Sequence, residues 1–560
     1  MNRSRIISVL LVLVLVGLAC ELETPPAPTP QWPPPTLLPV LPGSETPSSP
    51  GSRVDLLQDD LTGDESLWVA WTEEPSFAEL VPSPGRVRVE LDVKPQTAAL
   101  LLRHLYDLPD HADGVTLTLS VEGRPFHLVV GVKEEDESWY YTFLPLDPVE
   151  GLRTVEIDFD WLRLDSNGED ENGVLDLDQV AELYIVDISG FIGPLGPGAV
   201  EVHSLAFWQG DADPPVTQCV ADGGLAGDFL VGVDANYIPE GENKGTMWYV
   251  GETRVDPLAL FAGQGVDSLR LRVWVGEKGL YSLDDAVELA GRAHGLGMQV
   301  YPVLFLSDDW VDVNKQFAPS EWADLSLDRR AEAVRTYAEE TVSVLLETGI
   351  QMPYYAVGNE IDYGISGVFA GVEQRDLATL QTTIWPQAAK LIRAAVKGIQ
   401  LADPQARILL HVAQAYRPDF ALAFYTAMQE LGVDFDIAGL SYYPTAFGPL
   451  VVPGVCKTID RLSSELGLQV VIAEFAYPGE VPTGGMFESW YNDLPGYPLT
   501  HNGQAAWLAA FLSSMRAHPA VIGAYYFSPA FHWSGELWGP FALFDAEGSA
   551  RPAIGAFTLP

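Results

Sequence analysis

The chain has 560 residues, 47% of them hydrophobic, and a formal net charge of −46. That length exceeds what one hydrophobic core usually supports, so two or three structural units are expected. The acidic balance excludes nucleic acid and anionic membrane surfaces as partners, because both require basic patches.

The first residues read as a targeting signal (1–20). Met1-Asn-Arg-Ser-Arg5 is basic, and the apolar run Ile6 to Ala19 is too short for a comfortable membrane-spanning helix. It ends in Gly17-Leu-Ala-Cys20, which resembles a bacterial lipoprotein signal in which Cys20 is lipidated after cleavage. Gly17 departs from the usual Leu, and plain secretion is the alternative. Either way the mature protein is expected to be exported, extracellular or at the cell surface, and lipidation of Cys20 would anchor it to the membrane. Residues 21–52 are rich in Pro, Ser and Thr, cannot bury a core, and form an extended tether. Only Cys219 and Cys456 remain in the mature body, and the sequence does not say whether they meet. No His/Cys cluster has metal-ligand spacing, so neither metal nor cofactor is expected.

Residues 53–212 read as all-β. Runs such as Arg86 to Val93, Val115 to Val121, Phe126 to Val132, Thr154 to Phe159, Ala181 to Asp187 and Val200 to Trp208 are separated by turn residues. Many short strands without helices predict a β-sandwich of jelly-roll type. Trp68, Trp71, Trp139, Tyr140, Tyr141 and Trp161 could supply a sugar-stacking platform, or fill the core. The acidic loop Asp165 to Asp176 looks like a calcium loop but has Asp170 where the required Gly would sit, and reads as a solvated turn.

Residues 220–560 change texture, with strands alternating with helices from about Gly227. Eight strand candidates are Phe229 to Asp234, Ser268 to Val275, Gln299 to Leu306, Tyr354 to Gly358, Ile408 to His411, Ile437 to Ser441, Val470 to Ala473 and Ile522 to Phe527. Ser282-Leu-Asp-Asp285 opens a helix with a capping signature, and Leu327 to Leu346 and Trp385 to Leu401 are further helices. Eight such units predict a (β/α)8 TIM barrel, an α/β fold whose active site lies at the C-terminal strand ends. Two apolar runs end there in carboxylates, Tyr354 to Glu360 and Val470 to Glu474. A pair of acids at a barrel mouth fits glycoside hydrolysis with one proton donor and one nucleophile. Asn359 beside Glu360 suits the donor, through an amide that could bind a sugar hydroxyl, and Glu474 suits the nucleophile.

These strings resemble glycoside hydrolase family 53, the arabinogalactan endo-β-1,4-galactanases. The resemblance runs from about Gly227 to the C-terminus and rests on Leu269 to Trp274, Ser307 to Asp312 with Lys315-Gln316, and Val357 to Ile361. Gly439 to Pro444, Ala473 to Pro478, Gly503 to Ala506 and Ala542 to Asp545 complete it. It implies Glu360 as acid/base and Glu474 as nucleophile, with Arg272 holding Glu474 ionised and Tyr442 or Tyr443 orienting it. It also implies that Asp234, Trp274, Asp308, Trp310, Asn359 and Phe527 line the sugar subsites, with His411 and Gln414 as weaker candidates. The chain departs from the family's Phe-His-Tyr-Ser-Asp string by carrying Phe305 at the His position. It departs from Tyr-Trp-Glu-Pro on strand eight by carrying Phe527-Ser528. A family calcium ion is not expected, because Gly479 to Tyr497 lacks clustered acids. The expected activity is retaining endo-hydrolysis of β-1,4-galactan. A related glycanase acting on mannan or glucan, and a non-catalytic glycan-binding protein, remain alternatives.

Overall fold

A computed structural model describes residues 53–558, apart from 60, 62–66, 82, 106–111, 166–169, 171, 211–214, 220–228 and 277–280. The leader, the tether, Cys20, the boundary near Gly227 and part of the acidic loop therefore lie outside the described residues. No helix among the described residues is long and apolar enough to cross a membrane.

The N-terminal part is two six-stranded sheets. One runs Phe77–Val81, Val87–Val93, Gly196–Gln209, Gly114–Glu122, Arg153–Asp158, with Val54–Gln58 also pairing to Gly196–Gln209. The other runs Arg163–Leu164, Trp139–Leu146, Phe126–Glu134, Val180–Asp187, Ala99–His104, Trp68–Thr72. Strict alternation explains the packing. In the first sheet Val87, Val89, Leu91 and Val93 point inward and meet Leu128, Val130 and Val132 of the second. The opposite face of the second sheet is apolar too: Leu100, Leu102, Val129, Phe143, Tyr184 and Val186 share one buried cluster with the C-terminal part. A sheet buried on both faces reads as a continuous apolar run, as Leu128 to Val132 does within Phe126–Glu134.

That arrangement decides between the two readings of the six aromatics, which pack rather than form an open platform. Trp68 and Tyr140 are buried in the sandwich core and Trp161 packs against it, while Trp71, Trp139 and Tyr141 pack on the cluster shared with the C-terminal part. None of the six stands exposed. Of the acidic loop, Asp170 is described: it accepts from the Tyr140 hydroxyl and lies beside Glu134 and Asp136, with carboxylate oxygens within 4.8 Å of one another. Burial first, then these neighbouring acids, push Glu134 up to about 7.

The C-terminal part is a closed barrel of eight parallel strands. In chain order these are Leu230–Asp234, Ser268–Val273, Gln299–Leu304, Tyr355–Val357, Ile408–Val412, Ile437–Tyr442, Gln469–Phe475 and Val521–Phe527. They pair in that order, and the last closes on the first. Helices such as Leu283–Gly295, Leu327–Glu347 and Trp385–Ala402 pack outside. Ser282 caps the first of these, accepting from Asp285 N–H at 3.4 Å. The barrel interior is plugged by Tyr301, Tyr354 and Tyr525, with the last two hydroxyls 2.6 Å apart. Gly232 is required opposite this plug, because a Cβ there would lie 2.0 Å from the Tyr525 ring.

Polar contacts fasten the sandwich to the barrel loops, and a disulfide ties down the segment between them. Arg163 pairs with Asp493, and the Tyr491 hydroxyl donates to Leu164 C=O. Arg375 donates to Ile192 C=O at 3.2 Å and to Val313 C=O at 3.4 Å. Cys219 and Cys456 form a disulfide across 237 residues, tying the chain ahead of the barrel to the helix Val452–Leu466.

Candidate active site

Strand alternation decides which side chains enter the barrel. On strand two, Ser268, Arg270 and Arg272 share a face, while Leu269, Leu271 and Val273 face the outer helices. The same parity sends His411 on strand five and Ser441 on strand six inward, and Tyr442 outward. Strand seven breaks its own parity. Val471 and Ala473 face the interior, so Glu474 would face out; a register shift pairs Leu440 with Ile472 but Ser441 with Glu474. This bulge turns Glu474 into the barrel mouth.

Glu360 lies three residues beyond strand four, after Gly358 at φ +76°, and itself adopts φ +48°. A left-handed non-glycine residue costs about 1–2 kcal/mol, and the Gln316 amide helps hold it by donating to the carbonyls of Asn359 at 2.7 Å and Glu360 at 3.2 Å. The Glu360 carboxyl touches Ser441 Oγ at 2.6 Å and accepts from Val313 N–H at 3.2 Å. Burial first, then the charges of Glu474 and Asp312, push it well above the usual carboxylate range.

Glu474 has different company. Its Oε1 is 3.0 Å from the Arg270 guanidinium, and its Oε2 accepts from the Tyr443 hydroxyl at 2.8 Å. The arginine contact is Coulombic rather than an aligned hydrogen bond. Burial raises Glu474, and Arg270 acts against that rise. The two carboxyls titrate as a coupled pair. The first proton lost belongs to Glu474, since an arginine and a phenol stabilise its anion.

One expectation is corrected here and one open alternative is resolved. Arg272 does not hold Glu474. Its Nη2 donates to Asp234 Oδ1 at 2.6 Å, while Arg270, one inward position deeper on the same strand, bridges Asp234 at 2.5 Å and Glu474. Tyr442 faces outward against Phe511 and Trp507, so Tyr443 is the tyrosine at the site.

Several expected sugar contacts are also displaced. Asp234 is fully buried beneath both arginines; burial alone would raise it, but Arg272 and Arg270 outweigh that and hold it low. Asn359 is fully buried, accepting from Arg270 at 2.6 Å and donating to Val311 C=O at 2.8 Å. His411 is buried between Asn359 and Ser441. Phe527 has no exposed face: Trp538 covers it, with centroids 4.5 Å apart, and Trp310 and Tyr443 flank it. These residues support the carboxyls from below rather than lining the opening. Trp274, Trp310 and Asp308 stay half-buried, with Asp308 capping Ser320 N–H at 2.7 Å. Phe305 is interior, between Trp274 and Trp310.

Sequence reasoning missed Arg270, Ser441 and the half-buried Trp490 and Trp538, which pack on Tyr443. The first two were legible by counting alternate positions inward along strands two and six. The tryptophans come from loops, where no period applies.

The sequence pattern of glycosyl hydrolase family 53 matches residues 230–557, which is the whole barrel. The chain belongs to glycosyl hydrolase family 53. As a family member it is a glycoside hydrolase. It is 29% identical over 361 residues to an arabinogalactan endo-beta-1,4-galactanase of Cellvibrio japonicus, covering 60% of this chain and 92% of that one. It is 28% identical over 286 residues to arabinogalactan endo-beta-1,4-galactanase A of Emericella nidulans, covering 50% and 78%. Its barrel also superposes on the family-53 catalytic domain of Ignisphaera aggregans with a TM-score of 0.53 at 24% identity, covering 61% of this chain and 100% of that domain.

Proposed function

We propose that this protein is a retaining endo-β-1,4-galactanase in which Glu474 is the nucleophile and Glu360 the acid/base. The asymmetry of the two carboxyls carries the assignment: Glu474 has a cation and a hydroxyl stabilising its anion, whereas Glu360 sits buried among acids that favour its neutral form. In the first step a Glu474 oxygen bonds to the anomeric carbon as Glu360 transfers its proton to the departing glycosidic oxygen. In the second, Glu360, now anionic, takes a proton from water, whose oxygen displaces Glu474 and restores the original configuration.

The galactan assignment is supported by the named relatives. Phe305 and Phe527-Ser528 are this chain's departures near the site, so mannan and glucan are the competing substrates. Assay on β-1,4-galactan, mannan and glucan, with the anomeric configuration of the first products followed by NMR, tests both statements. Cleavage of galactan with retention is expected. No cleavage of galactan rejects the substrate, and an inverted product rejects the role of Glu474.

The enzyme acts outside the cytoplasm, held at the membrane by lipidated Cys20. The basic and apolar leader supports this, as does the Cys219–Cys456 disulfide, which persists in an oxidising compartment. Detergent phase partition of wild type against Cys20→Ala tests it: the variant should move to the aqueous phase.

A further inference from the structure

Behind Glu360, a line of contacts fixes where each hydrogen resides. Arg270 Nη2 donates to Asn359 Oδ1 at 2.6 Å, which identifies that atom as the amide oxygen. His411 Nδ1 lies 3.1 Å from the same oxygen. An amide oxygen cannot donate, so Nδ1 carries the hydrogen. His411 is wholly buried, and burial together with the nearby Arg270 keeps the ring neutral. Its Nε2 is therefore bare and accepts, and the partner at 2.9 Å is Ser441 Oγ. A hydroxyl has one hydrogen, and here it is committed to Nε2. At the 2.6 Å contact with Glu360 Oε1, Ser441 is left only to accept.

We propose that Ser441 and His411 are positioning residues for the proton donor: neutral His411 takes the Ser441 hydrogen, so that Ser441 Oγ accepts from Glu360 and holds its carboxyl protonated on Oε1. Ionising Glu360 would set a lone pair against a lone pair somewhere in the line, or force a charge onto the buried imidazole. The inference rests on the reading of Glu360 as proton donor. When Glu360 has delivered its proton, the line is frustrated, which favours recapture of a proton from the attacking water.

Other groups face Glu360. Glu474, Asp312 and Asp362 favour its neutral form, and Val313 N–H favours its anion. All remain in place when Ser441 is changed, so the sign of the change isolates the serine. The test is a titration of Glu360 in the full-length protein, followed by carbon-13 NMR of labelled glutamate carboxyls and assigned with Glu360→Gln. It is run beside the pH profile of kcat/KM. In Ser441→Ala the neutral carboxyl loses its acceptor. The midpoint and the alkaline limb should move to lower pH by about half to one pH unit, the worth of one hydrogen bond. His411→Phe should move them the same way, because Ser441 is then free to donate to the carboxylate. The double variant should move them no further than the larger single. A shift to higher pH in Ser441→Ala would show that the serine donates to an anion, and an unmoved midpoint would show a packing role alone; either overturns the proposal. Ser441→Ala decides the matter even if His411→Phe does not fold. The NMR titration needs no substrate, so loss of the galactan assignment would be seen separately.

Discussion

Tyr443→Phe separates the two adjacent tyrosines and measures how far Glu474 depends on its support. The Tyr443 hydroxyl donates to Glu474 Oε2 at 2.8 Å, while its ring is held by Trp490, Trp538 and Phe527 at centroid distances of 5.2, 5.7 and 6.3 Å. Phenylalanine keeps those ring contacts and removes one O–H. A hydrogen bond to a charged group is worth about 1.5–3 kcal/mol. At about 1.4 kcal/mol per factor of ten, kcat/KM on the cleaved glycan should fall roughly 10- to 150-fold. The sign of the pH effect follows from the same bond. The hydroxyl stabilises the carboxylate, so removing it raises the Glu474 midpoint and moves the acid limb to higher pH. Tyr442→Phe alters a ring packed on Phe511 and Trp507 on the outer side of strand six, and should stay within twofold of wild type. Steady-state reducing-end assays across pH, with thermal melts to confirm folding, make the comparison. A Tyr443→Phe enzyme within twofold of wild type, or a Tyr442→Phe enzyme equally impaired, would refute the arrangement.

The remaining predictions concern the carboxyls, the arginines and the link between the two halves. Azide should restore turnover to Glu474→Ala with an α-glycosyl azide product, and to Glu360→Ala with a β-glycosyl azide, read by NMR; the opposite pairing would exchange the roles. Arg270→Lys should lower kcat far more than Arg272→Lys, since only Arg270 reaches Glu474. Truncating either to Met leaves Asp234 with a single arginine and the buried cluster one cation short, so both variants should be less stable than wild type by denaturant unfolding. Replacing Cys219 and Cys456 by Ser opens a link spanning 237 residues. Chain entropy sets the loss at up to about 5 kcal/mol, seen as a lower Tm and a changed non-reducing gel mobility.

Both carboxyls at the barrel mouth, Glu360 and Glu474, were legible in the sequence because an apolar strand ending in an acid is unusual, and two of them in a β/α repeat point to one mouth. The capped helix after Ser282 and the eight strands were legible for the same local reason: caps and alternation are written in neighbouring residues. The arginine assignment failed because Arg270 and Arg272 lie on one face of one strand. Alternation says that both enter the barrel, but not which depth faces strand seven. The Glu474 bulge was equally invisible, as it exists only in the pairing of strand seven with strand six.

The sandwich marks the same division. Its apolar residues announced a packed β module, and its aromatics were open to two readings. Three of the aromatics join the sandwich's own core, and contact with the barrel covers the other three, because a second apolar sheet face cannot stay in water when another apolar surface can cover it. The sequence by itself determined the elements, the family and the two acids. The tertiary structure decided which arginine serves which carboxylate, which tyrosine faces the site, that the two cysteines meet, and where the sandwich lies. Those are contacts between residues far apart in the chain, and a local period carries no information about them.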